Sequence, residues 1–455
     1  MDDATSGMDT AHPGSFDPIP FVRGLVRLID YQRIEYLLAR TTRRRRRQRR
    51  LTAVSVVWLV VALSLFADHA VPQVWRHLHP ATDRPEPDDS AFTKARRRLG
   101  VAPLRDLFRD VAGTWAPAGT PGVFYRRWRL MGIDGTTFDM PDTPANARVF
   151  GRGGNQRSPN AFPQVRVLAL CELGTHVIGD VAFRPIRGSE QEMVPHLARS
   201  LRPDMLVLWD RNFFGFHLIG TVVAAGAHLL ARVKTSQLIF DRRRGLADGS
   251  YLSTVYPTFT DRRRDQNGRV VRIIEYTHDD PGRPGCGVTT RLLTDVLDPV
   301  DLPARQAAVL YHQRWEQELA FDEIKTHLNG RPVLLRSKTP RGVVQELYGL
   351  FLAHRVIRQV MADAAQARGL DPDRLSFTNS LRVLQCHLPE APARAPANWY
   401  ARLIREVARQ QLRPRRDRWY PRVVKRKMTK WAKKRPHHHH PPQPTKPFAD
   451  SVVIT

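Results

Sequence analysis

The sequence predicts an α/β protein: a mixed sheet with a β-rich insertion, preceded by a small helical domain. Up to about residue 122 the apolar residues recur at helical spacing. Beyond that point, short runs of branched and aromatic residues alternate with helical segments in the order strand, strand, strand, helix, strand, helix, strand. A third observation is charge. Basic residues number 72 against 44 acidic ones, a net charge of +28. Self-repulsion of that size disfavours a compact chain unless a polyanion neutralises it, and nucleic acid is the common polyanion.

Residues 1–17 are acidic, carry Gly and Pro, and predict disorder rather than a signal peptide. Residues 21–38 have helical periodicity, and an arginine run follows at 43–47. The uncharged stretch LTAVSVVWLVVALSLFA at 51–67 imitates a membrane span with a basic flank. It is at the short end of the spanning range and no second span follows, so it reads as a buried core helix and no membrane partner is expected. Residues 90–111 predict a helix broken at Gly100. These segments make 18–122 a helical, DNA-binding N-terminal domain.

The runs QVRVLALCEL and THVIGDVAFRP predict a hairpin through Leu-Gly-Thr. SEQEMVPHLARSL has the spacing of a capped helix, with Ser189 as N-cap and Glu192 three residues on. MLVLW is a buried strand, FHLIGTVVAAG a helix and AHLLARV a further strand. Residues 236–298 loosen into strand-like pieces and basic turns, the β-rich insertion of a core at 123–410. Pro303 opens a helix expected to run to about Leu328, and 342–368 and 373–388 are further helices. From 411 to 455 the chain is a basic, proline-rich tail; its histidines 437–440 read as a polar tract rather than a metal site. Cys171, Cys286 and Cys386 are far apart and form no C-x-x-C pair, which argues against a zinc finger and suits a reducing cytoplasm.

Two aspartates are candidates by position. Asp134 follows the strand-like RLMGI and Asp210 ends MLVLW. Ligand sites in α/β sheets gather at strand ends. Each signal is weak alone, because an Asp before Gly is a turn former and Asp139 and Asp142 lie nearby. The stretch YHQRWEQELAFDEIK at 311–325 adds four acids. At about 100° per residue from Tyr311, Arg314 falls near about −60°, Glu318 near about −20° and Lys325 near about −40°. Glu316 and Glu323 fall on the opposite side and are expected to face solvent. Asp322 stays on the stripe as a rival acid. A row of i,i+4 ion pairs is one use of such a stripe. A carboxylate that holds a metal, beside a guanidinium, an ammonium and a phenol that hold phosphates, is another. Three carboxylates from separate positions suit two divalent ions about 4 Å apart, the arrangement for in-line phosphoryl transfer. Hard oxygen ligands select Mg²⁺ or Mn²⁺.

These residues resemble the DDE triad of the RNase H-like transposases. The helix is similar to the Y-(2)-R-(3)-E-(6)-K signature of the insertion-sequence-four family at Tyr311, Arg314, Glu318 and Lys325. IDGTTFDMPDT resembles that family's first aspartate block and LVLWDRNFFG its second. The resemblance spans most of 18–435. It implies an RNase H-like fold, and Asp134, Asp210 and Glu318 as catalytic, metal-holding residues. It also implies Tyr311, Arg314 and Lys325 on the phosphates of the transposon end. The activity implied is Mg²⁺-dependent cut-and-paste transposition of an insertion sequence: cleavage at terminal inverted repeats, then attack of the 3′ hydroxyl on target DNA. The partners implied are double-stranded DNA and a second copy of the chain in a synaptic homodimer, in the bacterial cytoplasm at the nucleoid. A catalytically silent or domesticated DNA-binding protein of the same fold is the alternative. Only the family spacing places Glu318 ahead of Asp322.

Overall fold

The computed structural model of the protein describes residues 20–26, 28–41, 51–78, 86–113, 116–154, 159–233, 244–283, 285–328, 335–392, 396–413, 423–424, 432–436 and 443–455. The acidic N-terminus, the arginine run 43–47 and the histidines 437–440 lie outside them.

Six helices come first: α1 (Pro20–Val26), α2 (Tyr31–Thr41), α3 (Ala53–Leu65), α4 (Val71–Leu78), α5 (Asp89–Leu99) and α6 (Ala102–Ala112). α3 is the segment that imitated a membrane span. Thr52 caps its first turn by accepting from the Ser55 amide, and ten of its thirteen residues are buried. A helix apolar on all sides needs cover on all sides. The largest share comes from much later in the chain, where α13 (Pro340–Gln366) packs along α3, with α4, α5 and α2 supplying the rest. Gly349 allows the close approach, since a Cβ there would lie 2.8 Å from the Val60 carbonyl oxygen. Arg336 closes the other end of α3 by donating to the carbonyls of Leu63, Ala67 and His69. No helix among the described residues is long and apolar enough to cross a membrane.

The sheet begins with β1 (Phe124–Tyr125) and β2 (Trp128–Asp139), followed by α7 (Pro144–Phe150), β3 (Arg152–Gly154), β4 (Pro159–Glu172) and β5 (Val177–Pro185). α8 (Val194–Leu197), β6 (Met205–Trp209), α9 (Phe216–Ala224) and β7 (His228–Val233) complete the core. β5, β4 and β2 pair antiparallel in turn, and β6 and β7 run parallel to β2. That order, three meandering strands and then two parallel ones, is the RNase H-like sheet. The insertion adds β8 (Arg244–Gly245), β9 (Tyr251–Val255), α10 (Phe259–Arg264), β10 (Arg269–His278) and β11 (Thr290–Thr294). It extends the same sheet, with β11 antiparallel to β7. The chain's last strand, Val452–Ile454, pairs with β10. The β-branched end of the basic, proline-rich stretch 411–455 thus joins the sheet.

Alternation decides what each face meets. On β4, Val165, Val167, Ala169 and Cys171 join the helical core with α3 and α13. Leu168 and Leu170 face the other way, with Met131 and Ile133 of β2, towards α8 and α9. Leu130 of β2 and Leu206 and Leu208 of β6 pack with α11 (Ala304–His312). After α11 come α12 (Trp315–Asp322), a turn of π-helix (Glu323–Leu328), α13, α14 (Phe377–His387) and α15 (Pro396–Val407).

Two helix predictions need correction. The helix from Pro303 is not continuous, because Gln313 and Arg314 form turns between α11 and α12 and the last six residues widen to π spacing. The segment after Ser189 is a single α-turn flanked by 3₁₀ turns. Pro195 lacks the amide a regular helix needs there.

Candidate active site

The site is assembled by the alternation of β2 and β6. Leu130, Gly132 and Asp134 lie on the α11–α12 side of β2, as Leu206 and Leu208 do on β6. The parallel ladder ends at Ile133 and Trp209. The next residues along are Asp134 and Asp210, so the two acids sit side by side at the edge of the ladder. Asp134 is not at the end of its strand, as the sequence suggested. β2 continues to Asp139, paired on its other side with β4. Only the β6 side opens at Asp134. Asp210 is the last extended residue before a 3₁₀ turn, and its carboxylate accepts from the Arg211 amide.

α12 is pressed onto this edge at one point of close contact. Gln317 is fully buried and donates to the Ala169 carbonyl at 3.0 Å. Its Oε1 lies where a Cβ on Gly132 would be, 2.2 Å away. Glycine at 132 is thus what lets α12 approach β2. One residue further on, Glu318 reaches the site. Arg314 donates to Asp134 Oδ2 at 3.2 Å and to Glu318 Oε1 at 3.1 Å. The i,i+4 ion pair is present, but the same guanidinium also bridges to another element, which a solvated helix face does not do. Lys325 donates to Thr136 Oγ1 on β2 at 3.2 Å. Tyr311 is buried beside this group, in the core on that face of the sheet.

The electrostatics follow from the geometry. Burial raises Asp134 to about 6, with the Glu318 and Glu190 carboxylates adding to the rise against the Gly135 amide and Arg314. Burial also raises the Tyr311 phenol, so it stays protonated. Burial works against the Arg314 charge, but Tyr311, Asp134, Glu318 and Asp210 outweigh it and raise its pKa.

The competing acids are elsewhere. Asp139 accepts from Gln164 and Asp142 pairs with Arg152. Asp322 is exposed, held by Thr326 and His327 away from the two aspartates. Glu316 and Glu323 are not a solvated face. Glu323 is buried against Arg358, His354 and His176, and Glu316 pairs with His176. Helical periodicity separated them correctly from Glu318, but α13 covers that side. Glu190 was also missed. Its carboxyl lies where a side chain on Gly135 would be, and it is held by Arg166 at 2.6 Å. In the sequence it stood between a cap residue and an acid that fitted a capping box.

An RNase H-like sheet with three acids converging from two strands and a helix is the architecture of the DDE class of DNA-rearranging enzymes. Comparison with known proteins carries this to a family. Residues 21–109 match the family described as insertion element 4 transposase N-terminal, and residues 129–355 match the transposase DDE domain. The chain is 30% identical over 420 residues to the transposase InsG for insertion sequence element IS4 of Escherichia coli K12, covering 89% of this chain and 92% of that one. It is 27% identical over 219 residues to the putative transposase InsZ of the same organism, 46% of this chain and 71% of that one. A solved piggyBac transposase synaptic complex with hairpin DNA aligns over 86% of this chain and 85% of that one, at 12% identity and a TM-score of 0.43. The chain belongs to the IS4 family of DDE transposases and is a DNA transposase. That family implies the use of a divalent metal.

Proposed function

We propose that the protein moves an insertion sequence by cut-and-paste transposition, with Asp134, Asp210 and Glu318 as its metal-holding catalytic carboxylates. The observation that supports this most is the convergence of the three acids around Arg314. The donor set suits a hard divalent cation. All three side chains offer oxygen, and Asp134 is raised by burial among neighbouring carboxylates, a penalty that a bound cation removes. Bound there, one or two Mg²⁺ or Mn²⁺ ions supply Lewis acidity at the scissile phosphate and lower the pKa of the attacking hydroxyl or water.

The chain's own residues do the rest. Arg314 orients Glu318 towards Asp134 and leaves further guanidinium N–H groups for a phosphate. Lys325, tethered to Thr136 on β2, sets a positive charge on the same face two residues beyond Asp134. The Tyr311 phenol is kept protonated and is a donor to a phosphate oxygen. Helices within 18–122 and the arginine run extend the DNA footprint beyond the core, which we place at 123–410. Joining two element ends requires two active sites, so the working form is a homodimer on double-stranded DNA, acting in the cytoplasm at the nucleoid. The test is incubation of the purified protein with Mg²⁺ and a duplex ending in the element's terminal inverted repeat. Cleavage at the repeat end and joining of the released 3′ end to a target plasmid are expected. End binding without cleavage in either Mg²⁺ or Mn²⁺ would overturn the reading in favour of a silent DNA-binding protein.

A further inference from the structure

The back of the site helix carries a second set of charges that the chemistry does not use. Glu316 and Glu323 point away from Glu318, into the junction of the sheet and the helical layer. His176 comes from the turn between β4 and β5, in the left-handed region at φ 57°. Its Nε2 lies 2.9 Å from Glu316 Oε2 and its Nδ1 3.0 Å from Glu323 Oε1. From α13, Arg358 donates through Nε to Glu323 Oε2 at 2.8 Å, and its Nη2 contacts both Glu323 Oε1 and His176 Nδ1. His354, also on α13, lies 3.0 Å from Glu323 Oε2. All of these groups but Glu316 are buried. One carboxylate is therefore gripped by the sheet's turn and by the long helix at once.

We propose that Glu323, held by Arg358 and His176, is a positioning clamp that sets the rotation and depth of the site helix and so aims Glu318 and Lys325. This rests on the reading of Glu318 as a metal-holding residue. A buried carboxylate is tolerated only where it stays paired and hydrogen-bonded, and removing a partner is costly, so the grip favours the helix orientation that keeps these partners. The front of the helix meets the sheet through Gln317 against Gly132, Arg314 on Asp134 and Lys325 on Thr136. Front contacts and rear clamp together oppose rolling of the helix. The clamp also sits where the helix widens, since the π-turn begins at Glu323 and carries Lys325 two residues on. Such turns recur at functional sites because they redirect side chains within a helix. His176, Glu316 and Asp373 have ligand atoms within 4.8 Å of one another and are metal-ligating types. The Arg358 guanidinium already supplies the opposing charge at this cluster, so it is an ion-pair hub.

The test compares Glu323→Gln, Glu323→Asp, Arg358→Lys and Arg358→Met with wild type and with Glu318→Gln. Three quantities are read: affinity for the repeat-end duplex, cleavage rate, and Mn²⁺ affinity of the DNA-free protein by calorimetry. Folded Glu323→Gln is expected to bind the duplex within about twofold while losing roughly ten- to a hundredfold in cleavage, with weakened Mn²⁺ binding, as for residues that orient metal ligands. Arg358→Lys is expected to recover part of what Arg358→Met loses. Normal cleavage and Mn²⁺ binding in folded Glu323→Gln overturn the clamp, as does stoichiometric metal copurifying with wild type and lost on His176→Ala. If Glu323→Gln does not fold, Glu323→Asp, which keeps the charge and shortens the reach by one methylene, decides, and wild-type cleavage and Mn²⁺ binding there overturn the proposal. An active Glu318→Gln defeats the reading of the site itself. An inactive Glu318→Gln beside normal Glu323 variants defeats the clamp alone.

Discussion

At the scale of single residues, Asp134 makes the most specific demands. Its carboxyl titrates near about 6 in the metal-free protein, above the ordinary carboxylate range. A folded-state pKa above the unfolded one means that stability present at about pH 4 is lost as pH rises through 6. Asp134→Asn removes that loss. The metal-free variant is expected to gain up to about 3 kcal/mol over wild type at pH 8, with the advantage vanishing near pH 4. Chemical denaturation at the two pH values measures it, and saturating Mn²⁺ is expected to reverse the order. The same titration makes protons compete with the cation, so cleavage is expected to fall as pH drops below about 6.

At the scale of elements, the sheet was legible because its signals are local. Branched runs, the Leu-Gly-Thr hairpin and the apolar block before Asp210 each fixed a strand without help from elsewhere. Periodicity also placed Glu318 on a different face from Glu316 and Glu323. What periodicity cannot supply is the identity of whatever covers a face. Arg358 on α13 lies 35 residues beyond Glu323, and only packing brings the two together. The break at Gln313 and Arg314 and the π-turn were invisible for the same reason, since contacts of the helix impose them. The Gly132 contact belongs here too. Gly132→Ala would place a methyl group 2.2 Å from Gln317 Oε1 and 2.8 Å from Leu173 Cδ2. The expected cost is about 1–3 kcal/mol in urea unfolding, with a loss of cleavage larger than the loss of end binding as α12 lifts from β2.

At the scale of the whole molecule, one sheet carries the chemistry and a helical layer from both ends of the chain holds its site helix. The α3–α13 contact is the seam of that layer. Trp58, fully buried on α3, is expected to cost about 3–5 kcal/mol when changed to Ala, read as a lowered unfolding midpoint. The excess of positive charge is a property of the molecule rather than of any residue. Binding to duplex DNA is expected to weaken at least about a hundredfold between 50 and 200 mM salt, with a linear fall of log affinity against log salt.

The central claim is that the third acid is Glu318 and not Asp322, four residues along the same helix. Glu318 shares Arg314 with Asp134, while Asp322 is turned to Thr326 and His327. Glu318→Gln and Asp322→Asn, compared for Mg²⁺-dependent cleavage of a repeat-end duplex, decide between them. Glu318→Gln is expected to bind the end but leave it uncut, and Asp322→Asn to cleave at close to the wild-type rate. Cleavage by Glu318→Gln together with an inactive, folded Asp322→Asn would contradict the assignment.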